Sequence, residues 1–434
     1  MKKIIYIFLT LVMLIGIGLF AGCQQAEQYQ FQSSELDKYV IVYADDNPDY
    51  FELASKLSDR IYEKYGKMLT MVPDTIATPT KYEILLGDTI QDDRHSKVME
   101  YSVTVADGKF KINVGGSFSA EKAIEFLCKN VFNGKELTLD SGEHYSKNLM
   151  TKRYEITEGT SARIMSSNIL ADAFADASYN KAYYRAEIFA GMLVASTPDV
   201  VGLQEVDKAW NEILDSYLLR IQKAYGITYS RCLATYQDQL NYTSFLYRSD
   251  KFKAEDSGVN VFQWWTDSVF SHNYHMRNIS WVQFSSLDNN EKFIVANTHW
   301  SYRTEHADGK TYLTGSGKPI ATDELRVQCK DETNAFLSTL RQSHPGIPVV
   351  VTGDFNTSLT FFTQSGWTPT GFQLISEEAK RNGTSESDVP TSGHFDHLFG
   401  AGDYTVKKFA FIRDDNQLKL LSDHPCVYAD FNFG

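Results

Sequence analysis

The string Val-Thr-Gly-Asp-Phe-Asn, Val351 to Asn356, places an acid and an amide two residues apart after the apolar run Ile347–Val351. Positions i and i+2 of extended chain share a face, so Asp354 and Asn356 point the same way. Both suit a hard cation and a phosphate as oxygen ligands or hydrogen-bonding groups. Other segments of similar chemistry stand around it: Ser-Ser-Asn-Ile-Leu (166–170), Val-Gly-Leu-Gln-Glu-Val-Asp (201–207), Asn-Thr-His-Trp (297–300), and the pair His-Phe-Asp-His-Leu-Phe (394–399) and Leu-Ser-Asp-His-Pro (421–425). Glu205 ends the apolar strand Val200–Leu203, where a carboxylate pointing into a cleft is what a Mg²⁺ site needs. Taken alone it reads rather as a solvated acid in a strand-to-helix loop. Asn168 offers a cation its oxygen or a phosphate its nitrogen. In isolation it is an ordinary strand-end asparagine.

Together these motifs resemble the endonuclease/exonuclease/phosphatase superfamily, which includes deoxyribonucleases, apurinic endonucleases, sphingomyelinases, inositol-polyphosphate 5-phosphatases and deadenylases. The likeness covers roughly residues 160–432. It implies an α/β fold, a four-layer sandwich of two packed mixed sheets flanked by helices, and metal-dependent phosphoester chemistry. Mg²⁺ is the expected cofactor, with Mn²⁺ as a substitute. On this resemblance Glu205 is the principal metal ligand, Asn168 lies near metal and phosphate, and Asp423 meets the metal directly or through water. His299 binds the scissile phosphate. Asp354 positions or deprotonates the attacking water, and Asn356 hydrogen-bonds the phosphate as charge grows. Asp396 orients His424, the catalytic base or charge stabiliser. His397 stands where the family often has Tyr and is expected to be structural. Asn241, seven residues before Arg248, is expected among the substrate-binding residues, at a place where deoxyribonuclease-like members carry Glu and apurinic endonucleases Tyr; as an amide it can hydrogen-bond His299, and a slip of one residue brings in Tyr242 instead.

The stretch Phe262–Trp281 is rich in aromatic residues. Trp264, Trp265 and Arg277 are expected to contact substrate, whereas Trp281 is expected to pack. Phosphodiesters are the favoured substrates. A nuclease, a sphingomyelinase-like phospholipase and a non-enzymatic surface protein with a relic site remain as alternatives.

With 434 residues, two domains are expected. A net charge of −13 argues against a basic nucleic-acid-binding protein. It leaves a nuclease open, because a metal neutralises phosphate locally. Lys2 and Lys3, the apolar run Ile4–Phe20 and Phe-Ala-Gly-Cys (20–23) resemble a bacterial lipoprotein signal peptide. Cys23 is then the lipidated residue, 24–35 a tether, and the protein an exported lipoprotein on the outer face of the membrane, expected as a monomer. An uncleaved anchor helix is the alternative. Cys128, Cys232, Cys329 and Cys426 form no CxxC pair. They read as free thiols, with a disulfide still open in an exported chain.

These residues need elements to hold them. Residues 36–150 read as a small α/β unit: strand 39–43, helix 50–65 stopped by Gly66, strand 81–86, a hairpin around Asp107-Gly108, and a helix over 119–131. The pattern resembles the accessory domain ahead of some glycoside hydrolases, such as α-glucuronidases, which makes it a spacer or glycan-contacting module. A linker is expected near 140–160 and a catalytic domain over 160–434. From Arg163 strands and helices alternate: strands 163–168, 200–205, 244–248, 279–284, 292–298 and 348–352, and helices 181–196, 209–225 and 322–341.

Overall fold

The computed structural model describes residues 30–434 except 92–95, 107, 137, 141, 151, 176–180, 234, 237–238, 241–242, 264–276, 302–321, 358–361, 363–367, 386–393 and 413–417. By its contacts the chain forms two compact units. One comprises 30–96, Tyr101–Val114 and Ser119–Lys147; the other comprises Lys97–Glu100, Gly115–Phe118 and Asn148–Gly434. Asn241, Tyr242, Trp264, Trp265 and Cys23 lie outside the described residues.

The first unit is built on a six-stranded sheet in the order Thr70–Pro73, Val40–Tyr43, Glu83–Leu86, Lys109–Val114, Glu100–Ala106, His144–Asn148. The helix Asp49–Tyr65 ends at Gly66, whose φ of 65° is the left-handed C-cap that glycine adopts without strain. Gly108, at φ 82°, turns the hairpin. Two expectations need correction. Within the tether expected over 24–35, Gln30–Gln32 is a strand paired with Thr138–Asp140. The reason is apolar burial: Phe31 and Leu36 are fully buried, Phe31 against Tyr39, Phe110 and Phe132. The polar linker expected over 140–160 likewise begins as the sheet strand His144–Asn148.

The second unit is a four-layer α/β sandwich. One six-stranded sheet runs Tyr229–Cys232, Phe245–Arg248, Val200–Gln204, Ala162–Asn168, Val427–Asn432, Thr405–Phe411. The other runs Phe252–Val261, Asn278–Ser286, Lys292–His299, Val349–Asp354, Asp396–Ala401, Gln373–Leu374. Each sheet has one parallel pair, 162–168 with 200–204 and 292–299 with 349–354, and antiparallel neighbours elsewhere. Between the sheets pack Ile164, Val200, Phe293, Val295, Val350 and Leu398. On the far face of the second sheet, Ile294, Ala296, Val349 and Val351 meet Cys329, Leu337 and Leu340 of the helix Thr322–Ser343. The helices Ala182–Ser196 and Lys208–Tyr225 belong to the same unit, and Asp207 caps the latter by accepting Trp210 N–H.

The period of two along these strands changes character toward their carboxyl ends. On the face between the sheets the residues read Phe293-Val295-Asn297-His299, Val350-Thr352-Asp354, Ile164-Ser166-Asn168 and Val200-Gly202-Gln204. Apolar packing thus gives way to buried polar groups, which must find partners inside. Gln204 Nε2 donates to Asn297 Oδ1 at 2.6 Å and Ser166 Oγ at 3.2 Å. Asn297 Nδ2 donates to Leu203 O at 2.8 Å, and Thr352 Oγ1 donates to Asn297 Oδ1 at 3.2 Å. Gly202 permits this approach, since a Cβ there would run into Thr352 Oγ1 and lie 2.9 Å from Asn297 Cγ.

The four cysteines Cys128, Cys232, Cys329 and Cys426 are free thiols, the last two buried. Among the described residues no helix is long and apolar enough to cross a membrane. The close approach at Gly202 makes a prediction. Gly202→Ala should overpack the junction and lower unfolding free energy by about 1–3 kcal/mol, read from denaturant midpoints. An unchanged midpoint would mean the sheets are free to move apart there.

Candidate active site

Strand register brings the chemistry together. His299 pairs with Asp354, and Asp354 with Asp396, so three functional groups stand side by side at the ends of neighbouring strands. On the facing sheet Gln204 pairs with Asn168, and Glu205 follows at once. Glu205 turns out of its strand with φ 64°, a left-handed conformation that costs a non-glycine residue strain. Leu170 and Asn356 share it at 56° and 48°.

Asp354, fully buried, is the hub. Its Oδ2 accepts Asn168 Nδ2 at 3.0 Å and lies 3.2 Å from His299 Nε2 and 3.7 Å from His424 Nε2. Its Oδ1 accepts the Asn356 N–H at 2.8 Å. Asn168 Nδ2 also reaches Glu205 Oε1 at 3.1 Å, while its own oxygen accepts Leu170 N–H at 3.0 Å. In this arrangement Asn168 presents nitrogen rather than oxygen to the acids. Glu205 Oε2 is held by Ala171 N–H at 2.9 Å, and Oε1 stands 4.0 Å from His299 Nε2. His424 Nδ1 meets Asp396 Oδ2 at 2.7 Å. Asp423 is exposed beside this pair, and Ser422 Oγ accepts His424 N–H at 3.2 Å. Asn356 is buried, with Nδ2 donating to Trp300 O at 2.8 Å.

The two site histidines are driven apart. Burial disfavours the His424 cation, but Asp396, Asp354 and Asp423 outweigh it and raise its pKa well above the usual histidine value. Burial, and then the nearby charge of Arg277, lowers His299 against the pull of Asp354 and Glu205. Burial also opposes ionisation of Asp354, yet His424 and His299 overcome it and hold the carboxyl well below the carboxylate range. Burial pushes Asp396 up to about 6 against the pull of His424. At neutral pH the site thus holds a charged His424, a neutral His299 and ionised acids between them.

Glu205, His299 and Asp354 each present one ligand atom, all within 4.8 Å of one another, as a divalent-cation site requires. Carboxylate oxygens with one imidazole nitrogen suit a hard or borderline cation. Arg277 lies close enough to act on His299, and its buried Nε and Nη1 find no hydrogen-bond partner among the described residues. Asn168, Glu205, His299, Asp354, Asn356, Asp396 and His424 are therefore assembled, with Asp423 and Arg277 bordering them. Sequence reading missed the Ala171 N–H and the buried Gln204–Asn297 bridge beneath the site. The bridge was signalled by Asn297 standing two residues before His299, on the same strand face. Trp281 packs against the core and edge-on to His344 at 5.1 Å. His397 is buried with Nε2 3.0 Å from Thr357 O.

Compared with known proteins, residues 165–424 match the sequence model of the Endonuclease/Exonuclease/phosphatase family. A mouse (Mus musculus) protein named 2',5'-phosphodiesterase 12 is similar at 24% identity over 278 residues, 56% of this chain and 40% of its own length. The chain thus spans about two fifths of that curated relative. Among solved structures, an endonuclease/exonuclease/phosphatase from Bacteroides vulgatus is similar over 63% of this chain and 99% of its own, at 20% identity and TM-score 0.46. The human Nocturnin catalytic domain with bound sulfate anion is similar over 63% of this chain and 94% of its own, at 17% identity and TM-score 0.45.

His394, 3% exposed, lies edge-on to Phe411 and 5.0 Å from the His397 ring, and among the described residues both its ring nitrogens lack hydrogen-bond partners. Burial, then Lys380, lowers its pKa to about 4. The unfolded chain protonates near pH 6.5, so between about 6.5 and 4 it takes a proton that the folded chain refuses, and stability falls as pH drops. His394→Leu should remove roughly 3 kcal/mol of this acid sensitivity, seen as a smaller loss of urea midpoint between pH 7 and 4. A loss as large as the parent's would show that His394 is not refusing the proton.

Proposed function

The chain belongs to the endonuclease/exonuclease/phosphatase family, and from that premise we propose that it is a metal-dependent phosphoesterase that hydrolyses a phosphodiester. The observation that carries the reading is the meeting of Glu205, His299 and Asp354 within 4.8 Å, beside the His424–Asp396 pair at 2.7 Å. Glu205 would be the principal ligand of such a cation, with Asp354 and His299 beside it and Asp423 a further ligand, direct or through water. Mg²⁺ is the expected ion and Mn²⁺ its substitute. Bound there, the cation supplies charge neutralisation at phosphorus and activation of a water.

The chain's own groups do the rest. Asp354, strongly ionised, accepts a hydrogen bond and orients the attacking water. Asn168 Nδ2 donates to Glu205 and Asp354, and His299 Nε2 lies against Asp354, so either would reach the phosphate only by giving up that contact. Arg277 adds a guanidinium whose Nε and Nη1 have no hydrogen-bond partner among the described residues. His424 keeps its proton between two acids, which suits a charge stabiliser better than a base. Asp396 fixes its ring by accepting at Nδ1. Asn356 spends its amide on Trp300, so it joins the phosphate only by turning away from that carbonyl.

The diester preference is supported by the name of the mouse relative, a phosphodiesterase. The identity of the diester (nucleic acid, lipid head group or small molecule) is an assay outcome across DNA, RNA, sphingomyelin and aryl phosphodiesters. The lipoprotein reading of residues 1–23 belongs to the same proposal, and labelled fatty acid should enter the protein but not its Cys23→Ser variant.

The decisive change is Glu205→Gln. The residue is half-buried at the end of a strand, so the fold should persist, with an unaltered circular dichroism spectrum. Turnover of an aryl phosphodiester at limiting Mg²⁺ should fall by a factor on the order of 10² or more. Unchanged turnover would remove Glu205 from the metal site.

A further inference from the structure

Arg185 takes no part in the hydrolytic scheme, yet it is fully buried within the catalytic unit. It lies on the helix Ala182–Ser196. Its Nη1 donates to Ile169 O at 2.6 Å, Leu170 O at 2.8 Å and Leu421 O at 3.0 Å. The first two carbonyls belong to the turn after Asn168. The third lies two residues before Asp423.

The guanidinium stands 5.1 Å over the Trp210 ring, and Trp210 Nε1 donates to the same Leu170 carbonyl at 2.9 Å. Leu170 is one of the left-handed residues, at φ 56°. Its backbone is therefore held by its surroundings rather than by local preference. The next N–H along the chain, that of Ala171, is the one that grips Glu205 Oε2. Burial weighs against the Arg185 charge, and Asp172, Asp207, Glu205 and Asp423 stabilise it in turn. Two of those acids are the proposed ligands Glu205 and Asp423.

We propose that Arg185 is a positioning residue for the cation side of the site. It ties the turn 168–171, which grips Glu205, to the segment that delivers Asp423 and His424, and so fixes the spacing at which these acids meet a divalent cation. The inference rests on the hydrolase reading above. Lysine is the informative replacement. It keeps the charge, but an ammonium is a compact point donor without the flat guanidinium that stacks on the Trp210 indole while its Nη1 donates to the three carbonyls. Groups that orient metal ligands without touching the metal are typically worth 10–100-fold in metal affinity.

The test is Mn²⁺ binding to the full-length chain without substrate, followed by the electron paramagnetic resonance signal of free Mn²⁺. Arg185→Lys, with its fold checked by circular dichroism, should bind Mn²⁺ about tenfold or more weakly than the parent. Trp210→Phe keeps an aromatic ring under the guanidinium and drops only the bond to Leu170 O. It should weaken binding in the same direction by a smaller factor, and it decides the matter if the lysine variant does not fold. Should the parent bind and the folded variants bind equally well, the positioning role is overturned while the hydrolase reading stands. A parent that binds no Mn²⁺ overturns both.

Discussion

The hydrogen bond from Gln204 to Asn297, 2.6 Å long and buried, is the interaction on which the site depends. It joins the end of a parallel strand in one sheet to the end of a parallel strand in the other. Sandwiches usually meet through apolar side chains alone, which fix separation but tolerate sliding. Here Ser166, Gly202, Gln204, Asn297 and Thr352 form a polar layer at one end of that interior. A partner lost in this layer leaves a buried polar group unsatisfied, at roughly 1–3 kcal/mol each. The layer therefore admits one alignment of the sheets. Each of its strands then carries a functional residue just beyond it: Asn168, Glu205, His299 and Asp354.

Above that layer the geometry is governed by Asp354. Its carboxylate is shared by Asn168 and His299, each on its own strand, and by His424, in the loop ahead of the strand Val427–Asn432, so the groups are oriented by one another. The same carboxylate separates the histidines electrically. His424, flanked by Asp396 and Asp354, holds a proton; His299, buried near Arg277, does not. Two histidines of one ordinary pKa thus acquire different tasks through burial and neighbours. Left-handed backbone at Leu170, Glu205 and Asn356 sets local strain in the loops that hold the ligands, where surrounding hydrogen bonds over-determine it.

The chain's pattern made much of this legible. Four of the motif segments are the carboxyl ends of strands, where apolar runs followed by Asn, Glu, His or Asp announce a change from core to cleft; 394–399 opens a strand and 421–425 precedes one. Period-two reasoning placed the strands near 164, 202, 282, 295 and 351. The edge strand Phe252–Val261 escaped it, because its outer positions face solvent and carry Lys, Glu, Asp and Ser. The strand at Phe31 escaped it because Tyr29 and Phe31 make too short an alternation in a run of Gln and Ser to mark a strand; only the cluster of Tyr39, Phe110 and Phe132 reveals its place. Arg185 and the Ala171 N–H were illegible for a related reason. Their partners are backbone carbonyls and a carboxylate brought near by the fold, and a backbone group has no signature in sequence.

The central claim is that a divalent cation sits at the strand ends beside Glu205, within reach of Asp354 and His299. The most direct measurement is the anomalous scattering of Mn²⁺ in crystals of the protein. The account predicts a peak about 2.1 Å from a Glu205 carboxylate oxygen, in the cleft that His424 faces. A sole Mn²⁺ peak elsewhere, from protein that turns over a phosphodiester with the same Mn²⁺, would contradict it.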